Sequence, residues 1–191
     1  SGFGTKYSNP ATAPTGLPIG RAVAFSPAGN AIAIGHTTTP FITAYPWSGS
    51  GFGTKYTNPA TLPAGDGRGG VAFSPAGDAI AIAHNNSPFV TAYPWSALGF
   101  GVKFANPATL PPDNAQGGVA FSPAGDAIAV GHSTTPFIAA YSWSASGFGT
   151  KYTNPTTLPT SAATGLAISP SGDAIAVVNT ITPFITAYPF A

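Results

Sequence analysis

The chain repeats itself four times, and this repeat limits its fold more than any other feature. The tripeptide Gly-Phe-Gly begins at residues 2, 51, 99 and 147 of 191 residues, so the period is 48 or 49. A second set of equivalent positions, Phe25, Phe73, Phe121 and Ile168, keeps nearly the same spacing. Residues 1–191 are therefore predicted to form one domain, built from four copies of a single unit.

Each unit is predicted to contain four β-strands and no helix. Short segments rich in Val, Ile, Phe, Tyr and Thr end at Gly, Pro, Asn or Ser, which is typical of strands separated by turns. One set of predicted strands is 53–56, 71–73, 79–82 and 89–95. Residues 74–78, Ser-Pro-Ala-Gly-Asp, are expected to form a hairpin turn with a positive φ at Gly77. Ala alternates with Ile in 79–82, which predicts one closely packed and one space-filling face.

A tandem array of four-stranded units of 40 to 50 residues indicates a β-propeller. The predicted fold class is therefore all-β, with four blades that form either a four-bladed ring or half of an eight-bladed homodimeric ring. Residues 1–14 begin with an outermost-type strand, while the last repeat lacks one. We expect this segment to supply the outer strand of the last blade or of a partner chain, and favour the homodimer. The chain contains no methionine, so a fragment or processed piece is expected.

One hairpin carries a specific resemblance to a known family. The stretch 71–81, Val-Ala-Phe-Ser-Pro-Ala-Gly-Asp-Ala-Ile-Ala, returns at 119–129 and resembles the first hairpin of WD-repeat blades. The pattern departs from that family because Trp47, Trp95 and Trp143 precede Ser rather than Asp, and because no Gly-His pair precedes the first strand. The YPWS and GFGTKY repeats more loosely resemble repeat proteins of bacteriophage virions, which implies a virion or cell-surface location.

The composition excludes several classes of partner. Charged residues make up 6% of the chain, with six Lys and Arg and a net charge of +1. Six dispersed cations do not form the basic patch that binding to nucleic acid or an anionic membrane surface requires. No apolar run approaches the roughly 18 residues of a membrane span, so a soluble protein is predicted. There is no cysteine to form a disulfide or hold a metal.

Two sets of titratable residues recur at fixed repeat positions. Asp78, Asp126 and Asp173 share their position with Asn30, which favours a role in the turn over acid–base catalysis. His36, His84 and His132 share theirs with Asn179, which favours hydrogen bonding to the adjacent loop over a metal site. No nucleophile, phosphate-loop or metal motif is present, so neither a metal nor another cofactor is predicted. The prediction is a non-enzyme, and the alternative is a propeller glycosidase or lyase.

The four copies differ mainly in two loops. One precedes the first strand, at 15–21, 64–69, 112–116 and 160–164, and the other follows the second strand, at 36–39, 84–87, 132–135 and 179–182. In an up-and-down blade both loops emerge on the same face, and variable loops on a rigid scaffold commonly bind ligands. We therefore predict a structural or interaction module that binds a glycan or a protein through this face. The candidate ligand-binding residues are Arg21, His36, Asp66, Arg68, His84, Asn85, Asn86, Asp113, Asn114, Gln116 and His132.

Overall fold

The computed structural model describes residues 2–14 and 20–190, and every regular element in this part of the chain is a β-strand. The strands form four antiparallel sheets, which we number as blades 1 to 4. Blade 1 contains β1 (Gly20–Phe25), β2 (Ala31–His36), β3 (Ile42–Ser48) and β4 (Gly51–Phe52). Blade 2 contains β5 (Gly70–Phe73), β6 (Ala79–Ala83), β7 (Val90–Ser96) and β8 (Gly99–Phe100).

The third and fourth blades repeat this order with one difference. Blade 3 contains β9 (Val119–Phe121), β10 (Ala127–Gly131), β11 (Ile138–Ser144) and β12 (Gly147–Lys151). Blade 4 contains β13 (Ala163–Ile168), β14 (Ala174–Asn179) and β15 (Ile185–Pro189), and its sheet has three strands. The first strands contact one another in series, β1 with β5, β5 with β9 and β9 with β13. They are therefore the inner strands of a propeller-type array, and the predicted all-β, four-bladed fold is confirmed.

The predicted turn at the end of each first strand is also confirmed. Gly77 has a φ of 71°, and Ser74 Oγ donates to Asp78 Oδ1 at 2.7 Å while accepting from the backbone N–H of Ala79 at 2.9 Å. The same Ser-to-Asp or Ser-to-Asn bond recurs in the other three blades. The repeat-position acids thus hold the hairpin, and Asn30 makes the equivalent bond in blade 1.

The alternation of Ala and Ile in the second strand sets the blade-to-blade packing. In blade 2 the small face consists of Ala79, Ala81, Ala83, Val90 and Ala92, and it packs against blade 3. The opposite, large face carries Val71, Phe73, Ile80, Ile82, Tyr93 and Trp95, and it packs against blade 1. Because blades 1, 2 and 3 each present a small face to the large face of the next blade, one interface is repeated three times along the array.

The outer strand differs from its predicted position. Residues 53–56 were predicted as a strand, but β4 covers Gly51–Phe52 and β8 covers Gly99–Phe100. Only β12, Gly147–Lys151, continues into this part of the repeat. Residues 53–56 still run beside β3, since the backbone N–H of Gly53 donates to the carbonyl of Pro46 at 2.8 Å and that of Tyr56 to Ala44 at 3.0 Å, but they do not continue the regular ladder. Tyr56 packs edge-on against Trp95 of the next blade with ring centroids 5.1 Å apart. The third strand likewise begins at Val90 and not at Phe89, whose φ of 69° is outside the β region.

Candidate functional site

In blades 2 to 4 the two variable loops lie on one face, as predicted, and the loop at 15–21 of blade 1 falls largely outside the described residues. Asn86 Nδ2, in the loop after β6, donates to the carbonyl of Ala64 in the loop before β5 at 3.1 Å. In blade 3, Ser133 Oγ donates to Asp113 Oδ2 at 2.8 Å, and in blade 4 Thr180 Oγ1 donates to Ser161 Oγ at 2.9 Å. These paired loops form a surface that we call the loop face. The hairpin turns at 26–30, 74–78, 122–126 and 169–173 form the opposite turn face.

Adjacent blades are also joined along the loop face. The backbone N–H of Gly67 donates to the carbonyl of His36, that of Ala115 to His84, and that of Ala163 to His132. In blades 2 to 4 the loop before the first strand is therefore tied to the preceding blade as well as to its own. This double attachment gives the loops a fixed backbone frame, on which the side chains differ from blade to blade.

The three candidate histidines lie beneath the loop face. His36, His84 and His132 are at most 2% exposed. His36 Nε2 lies 3.0 Å from Thr43 Oγ1, and His84 Nε2 lies 2.9 Å from Thr91 Oγ1. At the equivalent position Asn179 Nδ2 donates to Thr186 Oγ1 at 2.9 Å, so His and Asn make the same cross-strand contact. His132 faces Ala139 at the Thr position and lacks this bond.

Burial keeps the histidines neutral near pH 7. Loss of solvation lowers the pKa of His84 to about 4, and it also lowers the pKa of His36 and His132. Neutral imidazole remains a metal ligand in principle, but no group of three or more His, Cys, Asp or Glu that would hold a metal occurs among the described residues. The geometry assigns the rings of His36 and His84 to hydrogen bonds that join the second and third strands.

The charged candidates of blade 2 are paired with each other. Asp66 is buried, and Arg68 donates to its Oδ2 through Nε at 2.6 Å and also through Nη2. Arg68 itself remains partly exposed. Sequence inspection had placed these residues as separate ligand-binding candidates, whereas the structure shows that Arg68 neutralises a buried carboxylate. Of the two side chains, Arg68 is the more exposed and Asp66 is nearly covered.

The uncharged candidates differ in their exposure. Asn86 and Gln116 are exposed, while Asn85 and Asn114 are half-buried. The side-chain oxygens of Asn85 and Asn114 have no hydrogen-bond partner among the described residues. Asp113 accepts hydrogen bonds from Ser133 and the backbone of Asn114, and these hold the pKa of its carboxyl below the usual value. Arg21 belongs to β1 by its backbone, and its side chain and loop residues 15–19 lie outside the described part.

Sequence reasoning missed several polar residues that the loop face contains. Ser133, Ser161 and Thr180 were within or beside the variable segments, but they form the loop-to-loop hydrogen bonds described above. Thr43, Thr91 and Thr186 anchor the His or Asn positions from the third strand. A constant separation of seven residues between each His or Asn and its Thr was the available signal.

Comparison with known proteins supports the fold. The chain matches none of the protein-family models, and it matches no curated protein. Among solved structures it resembles a "putative 6-phosphogluconolactonase" from Bacteroides uniformis, with a TM-score of 0.71 and 19% identity over 96% of this chain and 55% of that one. Hydrazine synthase from Kuenenia stuttgartiensis follows with a TM-score of 0.66 and 14% identity, covering 96% and 49%.

A third structure with this fold is a chain of the mitotic checkpoint complex, with a TM-score of 0.63 and 15% identity over 90% of this chain and 51% of that one. At these identities the likeness extends to the fold alone. This chain spans about half the length of the chains it matches. No helix able to cross a membrane was found in the described ranges.

Proposed function

We propose that the protein is a non-catalytic interaction module whose loop face binds a glycan or a protein. The observation that carries this proposal is the contrast between the two faces of one scaffold. On the turn face the same Ser–Asp or Ser–Asn bond is repeated in all four blades. On the loop face, blades 2, 3 and 4 each use a different set of polar contacts on the same backbone frame.

The chemistry of the loop face suits hydroxyl-rich or peptide partners. Its accessible groups are mainly amides and hydroxyls, which donate and accept hydrogen bonds without the desolvation cost of full charges. Asn86 and Gln116 are exposed, and the one described ion pair, Asp66 with Arg68, is internal to its loop. A surface of this kind fits neutral sugars or an uncharged protein surface better than phosphates or polyanions.

A propeller enzyme such as a glycosidase or lyase is the competing function, and one solved structure of this fold is named as a lactonase candidate. In the described loops, however, Asp66 is bonded to Arg68 and Asp113 to Ser133. Asp78, Asp126 and Asp173 hold the turn face hairpins. Carboxylates engaged in this way are poorly placed to act together as the acid and base that sugar hydrolysis needs.

A glycan array combined with a hydrolysis screen separates the two functions on one protein sample. Retention of a glycan without its cleavage is the expected result, and turnover of a sugar or lactone substrate would favour the enzyme. For a glycan found in this way, Gln116→Ala and Asn86→Ala should weaken binding measured by calorimetry. The matched control is Ala124→Ser on the turn face, which should leave the affinity unchanged.

A further inference from the structure

Two faces of the array are uncovered although their equivalents in the middle blades are buried. On the large face of blade 1, Val23 is 63% and Phe25 is 52% exposed, whereas Val71 and Phe73 in blade 2 are 8% and 9% exposed. On the small face of blade 4, Ile185 is 58% exposed, whereas the equivalent Val90 is fully buried. Blade 1 therefore lacks a preceding small face, and blade 4 lacks a following large face.

The outer edge of blade 4 is incomplete in a matching way. In blades 1 to 3 a Phe of the outer strand packs edge-on against the Tyr and Trp of the third strand, as Phe100 does against Tyr93 and Trp95. Blade 4 has Tyr188 and Phe190 at these positions, with three strands in its sheet and a cavity of about 500 Å³ beside them. Gly2 and Phe3 carry the outer-strand sequence, and Phe3 is fully exposed.

The N-terminal segment makes the same contacts with blade 1 that the equivalent segment makes with blade 2. Tyr7 packs edge-on against Trp47 with centroids 5.0 Å apart, as Tyr56 does against Trp95. Tyr45 Oη donates to the carbonyl of Thr12 at 2.6 Å, in the way that Tyr93 donates to Thr61. In the middle blades the Gly-Phe pair four residues earlier belongs to the preceding blade. By this equivalence, Phe3 lies where it can join only the outer strand of a blade that precedes blade 1.

We infer that a second copy of this chain fills both positions and completes an eight-bladed ring. Blade 4 of each copy would cover Val23 and Phe25 of the other, and Gly2 and Phe3 of each would add the fourth strand to the other's blade 4. The contact continues an interface that the chain already forms three times, between small and large faces. Because each copy supplies one half of each contact, the two-fold arrangement closes and leaves no open sheet edge.

Several features favour this occupant over closure within one chain. The exposure of Val23, Phe25 and Ile185 shows that the two end faces of a single copy do not cover each other. A ring of eight blades lies within the usual range for propellers, as a ring of four does, so blade number alone does not decide between them. The four blades also superimpose on about half of each longer chain that they match, as a half-ring is expected to do.

Solution mass is the first test of the ring, since one chain is 19.0 kDa and the proposed assembly is twice that. Light scattering after size exclusion should give about 38 kDa for the unaltered protein. Phe25→Asp and Ile185→Asp should raise the dimer dissociation constant by about 100-fold or more, because each introduces a charge into an apolar contact. Leu98→Asp, at another exposed apolar position, is the matched control and should remain dimeric. A monomeric parent at 100 μM, or an open series of larger oligomers, would overturn the inference.

A disulfide cross-link identifies the edge contact directly and traps the dimer once it forms. In blade 1 Trp47 pairs with Phe52 across the third and outer strands, and the equivalent pair in the ring is Phe190 with Phe3 of the other copy. Since the chain has no cysteine of its own, a Phe3→Cys, Phe190→Cys variant should give a covalent dimer with two disulfides under mild oxidation. A cyclised monomer would show closure within one chain. Failure to cross-link, with circular dichroism showing an intact fold, would also contradict the ring.

Discussion

The turn face and the loop face are built from the same strands but show opposite kinds of polar chemistry. On the turn face, one hydrogen bond from a Ser hydroxyl to the side-chain oxygen of Asp or Asn occurs in all four blades. It runs from Ser26 to Asn30 in blade 1 and from Ser169 to Asp173 in blade 4. On the loop face the bonds change from a side chain-to-carbonyl contact in blade 2 to a Ser–Asp contact in blade 3. The comparison shows that a repeat protein can keep its fold through one end of its blades and vary the other.

The buried histidines beneath the loop face should produce the largest effect. Burial lowers the pKa of His84 to about 4, while the unfolded chain takes up the proton near pH 6.5. The stability that neutral His84 contributes is therefore fully present above pH 6.5 and is lost as the pH falls from 6.5 toward 4. His84 alone should contribute a loss of about 2 kcal/mol between pH 7 and pH 4.5, measured by urea unfolding.

The control for this effect comes from the chain itself. Blade 4 has Asn179 bonded to Thr186 where blade 2 has His84 bonded to Thr91. His84→Asn should keep the cross-strand bond and flatten the pH dependence by the His84 contribution. An unchanged pH profile in this variant would mean that the acid sensitivity arises elsewhere and that the loop face does not depend on a neutral His84.

The turn face should respond next, through the backbone of its glycines. Gly77 has a φ of 71°, and an added Cβ would meet only Pro27 Cδ, at 3.7 Å. Gly77→Val should therefore lower the free energy of unfolding by about 1.5 kcal/mol through backbone strain and not through a clash. Gly49 has open space around it and no positive φ, so Gly49→Val is the control. Equal melting temperatures for the two variants would contradict this account of the turn.

A smaller effect is expected from the ion pair of the loop face. Arg68 donates twice to the buried Asp66, so Arg68→Ala leaves that carboxylate without its charged partner. We expect a loss of about 1 kcal/mol in thermal unfolding, since a buried acceptor loses its donors. Asp66→Asn combined with Arg68→Ala should recover part of the loss. If the single variant is as stable as the parent, Asp66 gains another partner and the pair is not structural.

The smallest effect should come from exchanging one repeat's turn residue for another's. Asn30 accepts from Ser26 as Asp78 accepts from Ser74, so Asp78→Asn should change the unfolding free energy by less than about 0.5 kcal/mol. Calorimetry of the parent and variant measures the difference. A large change would show that the Asp charge, and not only its hydrogen bond, stabilises the turn face.

The sequence predicted the parts of the fold that depend on local pattern. The period of 48 or 49 residues indicated four blades, and Ser74, Gly77 and Asp78 specified the hairpin turn. The outer strand was placed two residues too late because the regular ladder of β4 ends at Phe52, while Gly53 and Tyr56 keep single hydrogen bonds to β3 that the residue types of 53–56 do not reveal. The positive φ of Phe41, Phe89, Phe137 and Phe184 was not visible either, since Phe carries no local preference for that conformation.

The candidate site was predicted in outline but not in its contacts. Internal variation among the repeats located the two loops, and the structure places them together. The variation among the repeats did not reveal that Asp66 and Arg68 pair, or that the histidines lie below the surface. Those facts depend on side-chain depth and on Thr43 and Thr91 of another strand, which sequence variation does not encode. Which of the candidate residues contact a ligand remains a prediction.

Amide hydrogen exchange, measured with and without a glycan or protein selected by the screen, tests the division between the faces most directly. Added protection should appear in loop face residues 64–69, 85–87, 112–116 and 133–135, where the repeats differ. Exchange in the turn face segments 26–30, 74–78, 122–126 and 169–173 should stay unchanged. Protection confined to those turn segments, with silent loops, would contradict the assignment of binding to the loop face.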